Sequence, residues 1–335
     1  MRSLRGAKGG LRGAKGGKAR RLRRAAAWCA VAAVLLGAAG FAYESAAERG
    51  DPLRYPAPGR LVGVAGHRLH LHCTGEGSPT VVLEAGLAES SASWAGIQRA
   101  LSAGGRVCSY DRAGYAWSDA GPAPRTASRA AEDLRALLAA AGERAPYVLV
   151  AHSYGGHVAR LFADRWRGLT AGLVLIDVTD ETELDALATS RPLLAAQFTA
   201  YGLLARTGVL RLTGGALVPG DATAEARAAA PVVYGARSMA AARSEAWAAL
   251  PSAAEVAATV RPGAWGDLPV ALVIPSGQPE RAVGRARSLA ALSTRGRVLI
   301  ASTTEHYVQA HEPRLVLDAV GDVVDAARAT LRKRT

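Results

Sequence analysis

The sequence predicts an α/β fold: a mostly parallel eight-stranded sheet with helices on both faces and a helical cap inserted between two strands. Three observations point to it. Short apolar runs free of charge recur along the chain and read as strands buried on both faces. Between several of them lie stretches with apolar residues at helical spacing. One strand runs straight into Ala151-His152-Ser153-Tyr154-Gly155-Gly156, a small-x-Ser-x-Gly turn with a helical run behind it.

The first 24 residues carry ten positive charges and no negative one, so most of the net +13 sits there and the remainder is only +3. Two copies of Leu-Arg-Gly-Ala-Lys-Gly-Gly fill residues 4–17. No aromatic residue is interleaved to stack on bases, which argues against nucleic-acid binding. A solvated, disordered tail is expected over 1–24.

Residues 25–43 form an uncharged apolar run, flanked by Arg20, Arg21, Arg23 and Arg24 before and by Glu44 after. At ~1.5 Å per residue it reaches about 28 Å, close to a bilayer core. Trp28 and Tyr43 lie near its ends, where interfacial aromatics belong. A single-pass anchor with the basic tail in the cytoplasm and the rest of the chain outside is expected. The alternative is a signal peptide cleaved near Ser45-Ala46-Ala47, though the run is long for one. Residues 44–60 then read as a Pro-rich linker between the membrane and a separate folded domain.

Residues 60–64 and 67–73 read as a hairpin around Ala65-Gly66, and 80–84 and 106–110 as two further strands. Residues 127–141 form an amphipathic helix that stops at Gly142. Strand 147–150, the serine turn and a helix come next, then strand 173–176. Strands 270–274 and 298–301 and a helix after Pro313 close the chain. Residues 179–263 lack strand signals and are rich in Leu and Ala. They are expected to form a helical cap, broken at Pro192, Gly214-Gly215, Pro219, Pro231 and Pro251, that divides the core into 61–178 and 264–335.

A strand-turn-helix this sharp strains the backbone of Ser153 and requires nearly side-chain-free neighbours two positions away, which Ala151 and Gly155 supply. Five segments in order then carry a resemblance. They are Leu83-Glu84-Ala85-Gly86-Leu87 with Trp94; Ser109-Tyr110-Asp111-Arg112-Ala113-Gly114-Tyr115 with Ser118-Asp119; His152 to Gly156; Leu175-Ile176-Asp177; and His306-Tyr307 with Pro313. Together they resemble the α/β-hydrolase superfamily over residues 61–331, with the nearest likeness to exported, membrane-anchored bacterial members. The resemblance implies a Ser-His-Asp triad with Ser153 as nucleophile, and an oxyanion hole from the backbone N–H groups of Leu87 and Tyr154. It implies no cofactor and no metal. Relatives that attack with aspartate, such as haloalkane dehalogenases and epoxide hydrolases, lack this serine. Asp111 and Arg112 resemble a loop that braces the site. The fold's strand order would also make the strands of Cys73 and Cys108 antiparallel neighbours, so a disulfide between them is expected alongside the alternative of two free thiols.

Of seven histidines, His306 is the expected general base, since a short loop sets it just beyond the last strand. His311 opens the final helical region, His157 lies one turn beyond the serine, and His152 faces the packed side of the turn. His67, His70 and His72 suit alternate positions of a hairpin better than a metal site. The acid is open. The strand after the cap runs into Pro275-Ser276-Gly277-Gln278-Pro279-Glu280 with no Asp, which departs from the commonest pattern; Asp177 is preferred over Glu280, Asp180 and Glu181. The expected activity is hydrolysis of a small hydrophobic ester through an acyl-enzyme. An amidase related to prolyl aminopeptidases and a non-catalytic binding protein on the same fold are the alternatives.

Overall fold

The computed structural model describes residues 11–179, 181–182, 184–214 and 224–333. Its eight strands are β1 (Arg60–Val64), β2 (His67–Thr74), β3 (Thr80–Glu84), β4 (Val107–Tyr110), β5 (Tyr147–His152), β6 (Thr170–Ile176), β7 (Val270–Ile274) and β8 (Gly296–Ile300). They form one sheet in the order β1-β2-β4-β3-β5-β6-β7-β8. Only β2 pairs antiparallel, with β1 on one side and β4 on the other; every other pairing is parallel. That register sets Cys73 opposite Cys108, and the two are joined by a disulfide.

Successive strand residues face opposite sides, so each central strand feeds two cores. Leu149, Ala151, Leu173 and Leu175 face one core with α3 (Ala127–Ala141), α4 (Gly155–Arg165) and α10 (Glu280–Ala290). Val148, Val150, Val174 and Ile176 face the other with α2 (Ala95–Leu101) and α12 (Pro313–Arg332). This is why the central strands read as unbroken apolar runs.

Between β6 and β7 lie α5 (Leu184–Arg206), α6 (Val209–Thr213), α7 (Ala224–Ala228), α8 (Ala230–Val233) and α9 (Ala236–Ala257). The expected breaks at Pro192 and Pro251 are absent, since α5 runs through the first and α9 through the second. An interior proline costs a helix about 3 kcal/mol. The packing of α5 along α9 and the burial of α9 residues from Ala236 to Val256 outweigh that cost. Pro231 does stand at a helix start, and Pro219 lies outside the described residues. The short α11 (Val308–His311) connects β8 to α12.

The N-terminal segment departs most from the sequence reading. A single helix α1 spans Leu11–Arg54, so it takes in the latter part of the expected disordered tail and much of the expected linker, Pro52 included. The apolar run supplies a long helical nucleus, from which growth is inexpensive in both directions. Past Tyr43 the helix is held by Arg211 of α6, which donates to Glu44 and Asp51, seven residues and two turns apart on one face. Among the described residues α1 is the one helix long and apolar enough to cross a membrane.

Candidate active site

Ser153 sits between β5 and α4 with a φ of 51°, the left-handed region that an L-residue occupies only under strain. Its N–H donates to the Ile176 carbonyl at 3.1 Å, which pins the turn to the end of β6. A Cβ on Gly155 would lie 2.6 Å from the Ala85 carbonyl oxygen, and one on Gly156 would collide with Val178. Small residues come after the serine because neighbouring chains leave no room for larger ones.

Asp177 directly succeeds β6, also at positive φ (40°), with its N–H donating to the Val273 carbonyl. His306 lies in the loop between β8 and α11, and its Nδ1 donates to Asp177 Oδ2 at 2.6 Å. That bond selects the tautomer whose lone pair is on Nε2. The loop is held from both sides: Glu312 accepts from the N–H groups of Ser302 and Thr303, and Ser276 Oγ donates to the Ser302 carbonyl. His306 is half exposed, at 48%, against 23% for Asp177. The other candidate acids are elsewhere. Glu280 opens α10 on the surface, Glu181 is bound to Arg160 through two bonds of 2.5 and 2.7 Å, and Asp180 lies outside the described residues.

Leu87 lies just beyond β3, and Tyr154 at the start of α4. Among the described residues neither backbone N–H is engaged in a hydrogen bond, whereas the next one along, Ala88 N–H, donates to the Tyr115 hydroxyl. The strand end that carries Leu87 is gripped by Arg112, which donates to the carbonyls of Ala85 (2.5 Å) and Gly86 (2.9 Å). Arg112 is itself clasped by Glu84 and by Glu245 of α9. Asp111 accepts from Ser91 N–H and from His70 Nδ1, so the Asp111-Arg112 pair braces the loop as its sequence suggests. Burial pushes the Glu84 carboxyl up to about 7 despite Arg112, and the Tyr110 hydroxyl donates to it.

Two residues here escaped the sequence reading. His152, expected on the packed side of the turn, is indeed buried, but its ring centroid stands 4.5 Å from that of His306. Its Nδ1 meets Glu89 Oε1 at 2.7 Å and its Nε2 donates to the His306 backbone carbonyl at 3.0 Å. Both ring nitrogens therefore face acceptors, a demand that only the imidazolium meets. Burial opposes that charge, but Glu89 outweighs it and raises the His152 pKa; His152 in turn holds the buried Glu89 carboxyl below its usual range. A Cβ on Gly86 would collide with this Glu89 carboxylate. The sequence carries no signal of this pair: Glu89 precedes Ser90-Ser91, His152 precedes Ser153, and nothing in their spacing joined them. The remaining five histidines go elsewhere: His157 is buried against the Tyr154 ring, His311 lies exposed on α11, His72 lies on β2, His67 meets Asp133, and His70 meets Asp111.

A family model described as alpha/beta hydrolase fold matches residues 79–205, which include β3, the serine turn and Asp177. The chain has the α/β-hydrolase fold. Solved structures agree in fold. A thermophilic esterase from Thermogutta terrifontis aligns with a TM-score of 0.60 at 21% identity, covering 82% of this chain and 98% of the esterase. A putative epoxide hydrolase from Pseudomonas aeruginosa aligns at 0.64 and 18% identity, covering 81% and 96%. At such identities the likeness is one of architecture. Among curated proteins, a probable transporter, efuK, of Hormonema carpetanum is 37% identical over 130 residues, which is 36% of this chain and 18% of that protein. The chain spans less than half the length of each curated relative it matches.

In this fold α9, between β6 and β7, is bonded to the serine turn and to the loop after β4. Tyr154 OH meets Ser252 Oγ of α9 at 3.1 Å, and Tyr115 OH donates to Glu245 at 2.7 Å. A cavity of about 360 Å³ opens beside Asp177, between β6, β7 and α10, lined by Leu175, Val178, Leu272, Ile274 and Leu289. Asp177 lines it, and neither Ser153 nor His306 does.

Proposed function

We propose that this protein is a serine hydrolase that cleaves carboxylic esters through an acyl-enzyme, with Ser153 as nucleophile, His306 as general base and acid, and Asp177 orienting His306. The observation that carries the reading is the 2.6 Å bond from His306 Nδ1 to Asp177, made beside a serine in a strained strand-to-helix turn. Ser153 Oγ attacks the acyl carbon while His306 Nε2 takes its proton. The oxyanion that forms accepts from the N–H groups of Leu87 and Tyr154, each donor being worth about 3–4 kcal/mol of barrier. Collapse expels the alkoxide, which leaves as an alcohol with the proton from His306. Water then attacks the acyl-serine by the same route in reverse, releasing the acid and restoring Ser153. A serine at the turn favours this chemistry over the aspartate-based reactions of other members of the fold.

The proposal includes a bilayer anchor in α1, with the arginine-rich end in the cytoplasm and the remainder outside. Retention rather than cleavage is supported by the helix running unbroken through Ser45-Ala46-Ala47, and by Glu44 lying buried against Arg211.

Labelling with a fluorophosphonate probe tests the nucleophile: the wild-type chain is labelled and Ser153→Ala is not. A p-nitrophenyl ester series of increasing acyl length then measures turnover. Equal labelling of the two proteins would end the serine-hydrolase reading.

A further inference from the structure

α1 does not leave the protein at the end of its apolar run. Of the covered positions in its last turns, 37, 40, 44, 47, 48 and 51 share one face, with Ser45 and Gly50 partly covered to either side. A Cβ on Gly40 would collide with the backbone of Thr207, and one on Gly208 would lie 2.8 Å from the Tyr43 ring. One turn further on, the Arg211 guanidinium closes over Glu44 and Asp51 with four bonds of 2.7–2.9 Å. The contact therefore begins at Gly40, inside the apolar run of 25–43. The corner between α5 and α6 stands level with the outer end of that run.

That corner is also where exposed apolar side chains gather. Leu203 (65% exposed) and Leu204 end α5, and Val209 and Leu212 (76%) belong to α6. Back along α5 the exposed positions Leu193, Ala196 and Ala200 continue an apolar stripe at helical spacing. Among the described residues outside α1 and the cap, large apolar side chains are exposed at scattered points such as Leu61 and Ile300. A stripe of this kind beside a spanning helix is the pattern of a surface that rests in a bilayer interface.

We infer that the α5–α6 corner of the cap lies in the outer headgroup layer of the phospholipid bilayer that α1 crosses, and that it presents the catalytic site to esters dissolved in that layer. The inference rests on the proposed anchor and ester chemistry. From this corner the path inward is short: Phe198 of α5 belongs to the cluster of Tyr115, Ala241 and Ala242 that also includes Ala88, next to the oxyanion position. The membrane-facing helix is thus one layer from the reacting atoms.

The test uses the full chain in phosphatidylcholine vesicles. Cys29, an exposed thiol, is first replaced by Ala; Cys73 and Cys108 are occupied by their disulfide. A fluorescent label is then attached at Leu203→Cys, Leu212→Cys, Val34→Cys or Ile300→Cys, and quenching by brominated phosphatidylcholine is compared with quenching by aqueous iodide. The expected result is lipid quenching at 203, 212 and 34 and iodide quenching alone at 300. Labels at 203 and 212 that behave like 300, while 34 is quenched by lipid, would overturn the docking and leave the anchor standing. Lipid quenching absent from 34 as well would overturn both. The double variant Leu203→Asp/Leu212→Asp should lose turnover of a long-chain ester carried in the vesicles and keep turnover of soluble p-nitrophenyl acetate. Unchanged turnover of the vesicle-borne ester would remove substrate presentation from the inference. Loss of the soluble activity in Ser153→Ala but not in the double variant keeps this test separate from that of the triad.

Discussion

Two arginines in this protein are each clasped between two carboxylates, and each cluster ties a helix lying between β6 and β7 to another part of the chain. Arg112 lies between Glu84 of β3 and Glu245 of α9, with side chains only 1–3% exposed. Arg211 of α6 lies between Glu44 and Asp51 of α1, where Asp51 keeps 15% of its surface in water. The first cluster has two further bonds, to the carbonyls of Ala85 and Gly86, so it sets the backbone from which Leu87 projects. Among the described residues the bonds of Arg211 go to α1 and not to the strand ends. The same charge motif therefore makes two different joints: one binds the strand end that carries Leu87 to α9, and the other binds α6 to α1. The first cluster is the more deeply buried of the two, so a charge left unpaired there is penalised more by desolvation.

Substitutions inside and outside the two clusters test this division. The largest effect is expected from a residue in neither. Asp177→Asn leaves an amide beside His306, favours the wrong tautomer and fails to stabilise the imidazolium; kcat on a soluble ester should fall by about 10³–10⁴. Glu280→Gln, on the surface at the start of α10, should change kcat by less than about tenfold. If the two results are exchanged, the acid lies after β7.

Arg112→Ala comes next. It strands Glu84 and Glu245 in the interior and releases two carbonyls, at a cost on the order of 3–5 kcal/mol of stability. Denaturant unfolding should record that loss, and ester kinetics should show kcat falling with it. A folded variant with wild-type kcat would mean that Arg112 binds the strand end without shaping the oxyanion position.

The pH dependence of the first cluster comes from Glu84. Its folded carboxyl titrates at about 7 because burial disfavours the charge, against 4.5 for the free group. The folded state thus holds the proton more tightly, so this group's contribution is complete below about 4.5 and is lost as pH rises through about 7. Unfolding free energy measured across that window should fall with rising pH, and Glu84→Gln should flatten the slope. A slope of the same size in the variant would assign it to other groups.

The smallest effect on chemistry is expected at Arg211. Arg211→Ala should cost stability on the order of 1–3 kcal/mol and leave kcat on a soluble ester unchanged. A loss of kcat comparable to that in Arg112→Ala would erase the distinction between the clusters.

The order of residues alone specifies the sheet and the elements that point side chains at its end. Strands buried on both faces must be continuous apolar runs, and a turn that forces positive φ onto a serine must be flanked by small residues; both are local demands written in consecutive positions. The expected order of Ser153, Asp177 and His306 along the chain came from the resemblance to the α/β-hydrolase superfamily and not from any local demand. Which carboxylate meets His306 was legible only as a preference for Asp177 over Glu280, because Asp177 and His306 are 129 positions apart and the parallel packing of β6, β7 and β8 brings them together. The pairing of His152 with Glu89 and the reach of Glu245 to Arg112, across 133 positions, were silent. So was the continuation of α1 past Tyr43, which local composition reads as a linker and Arg211 holds as a helix. Charges pair by distance in space, and spacing along the chain reports that distance only within a helix or a strand; beyond it, the packing of the layers decides.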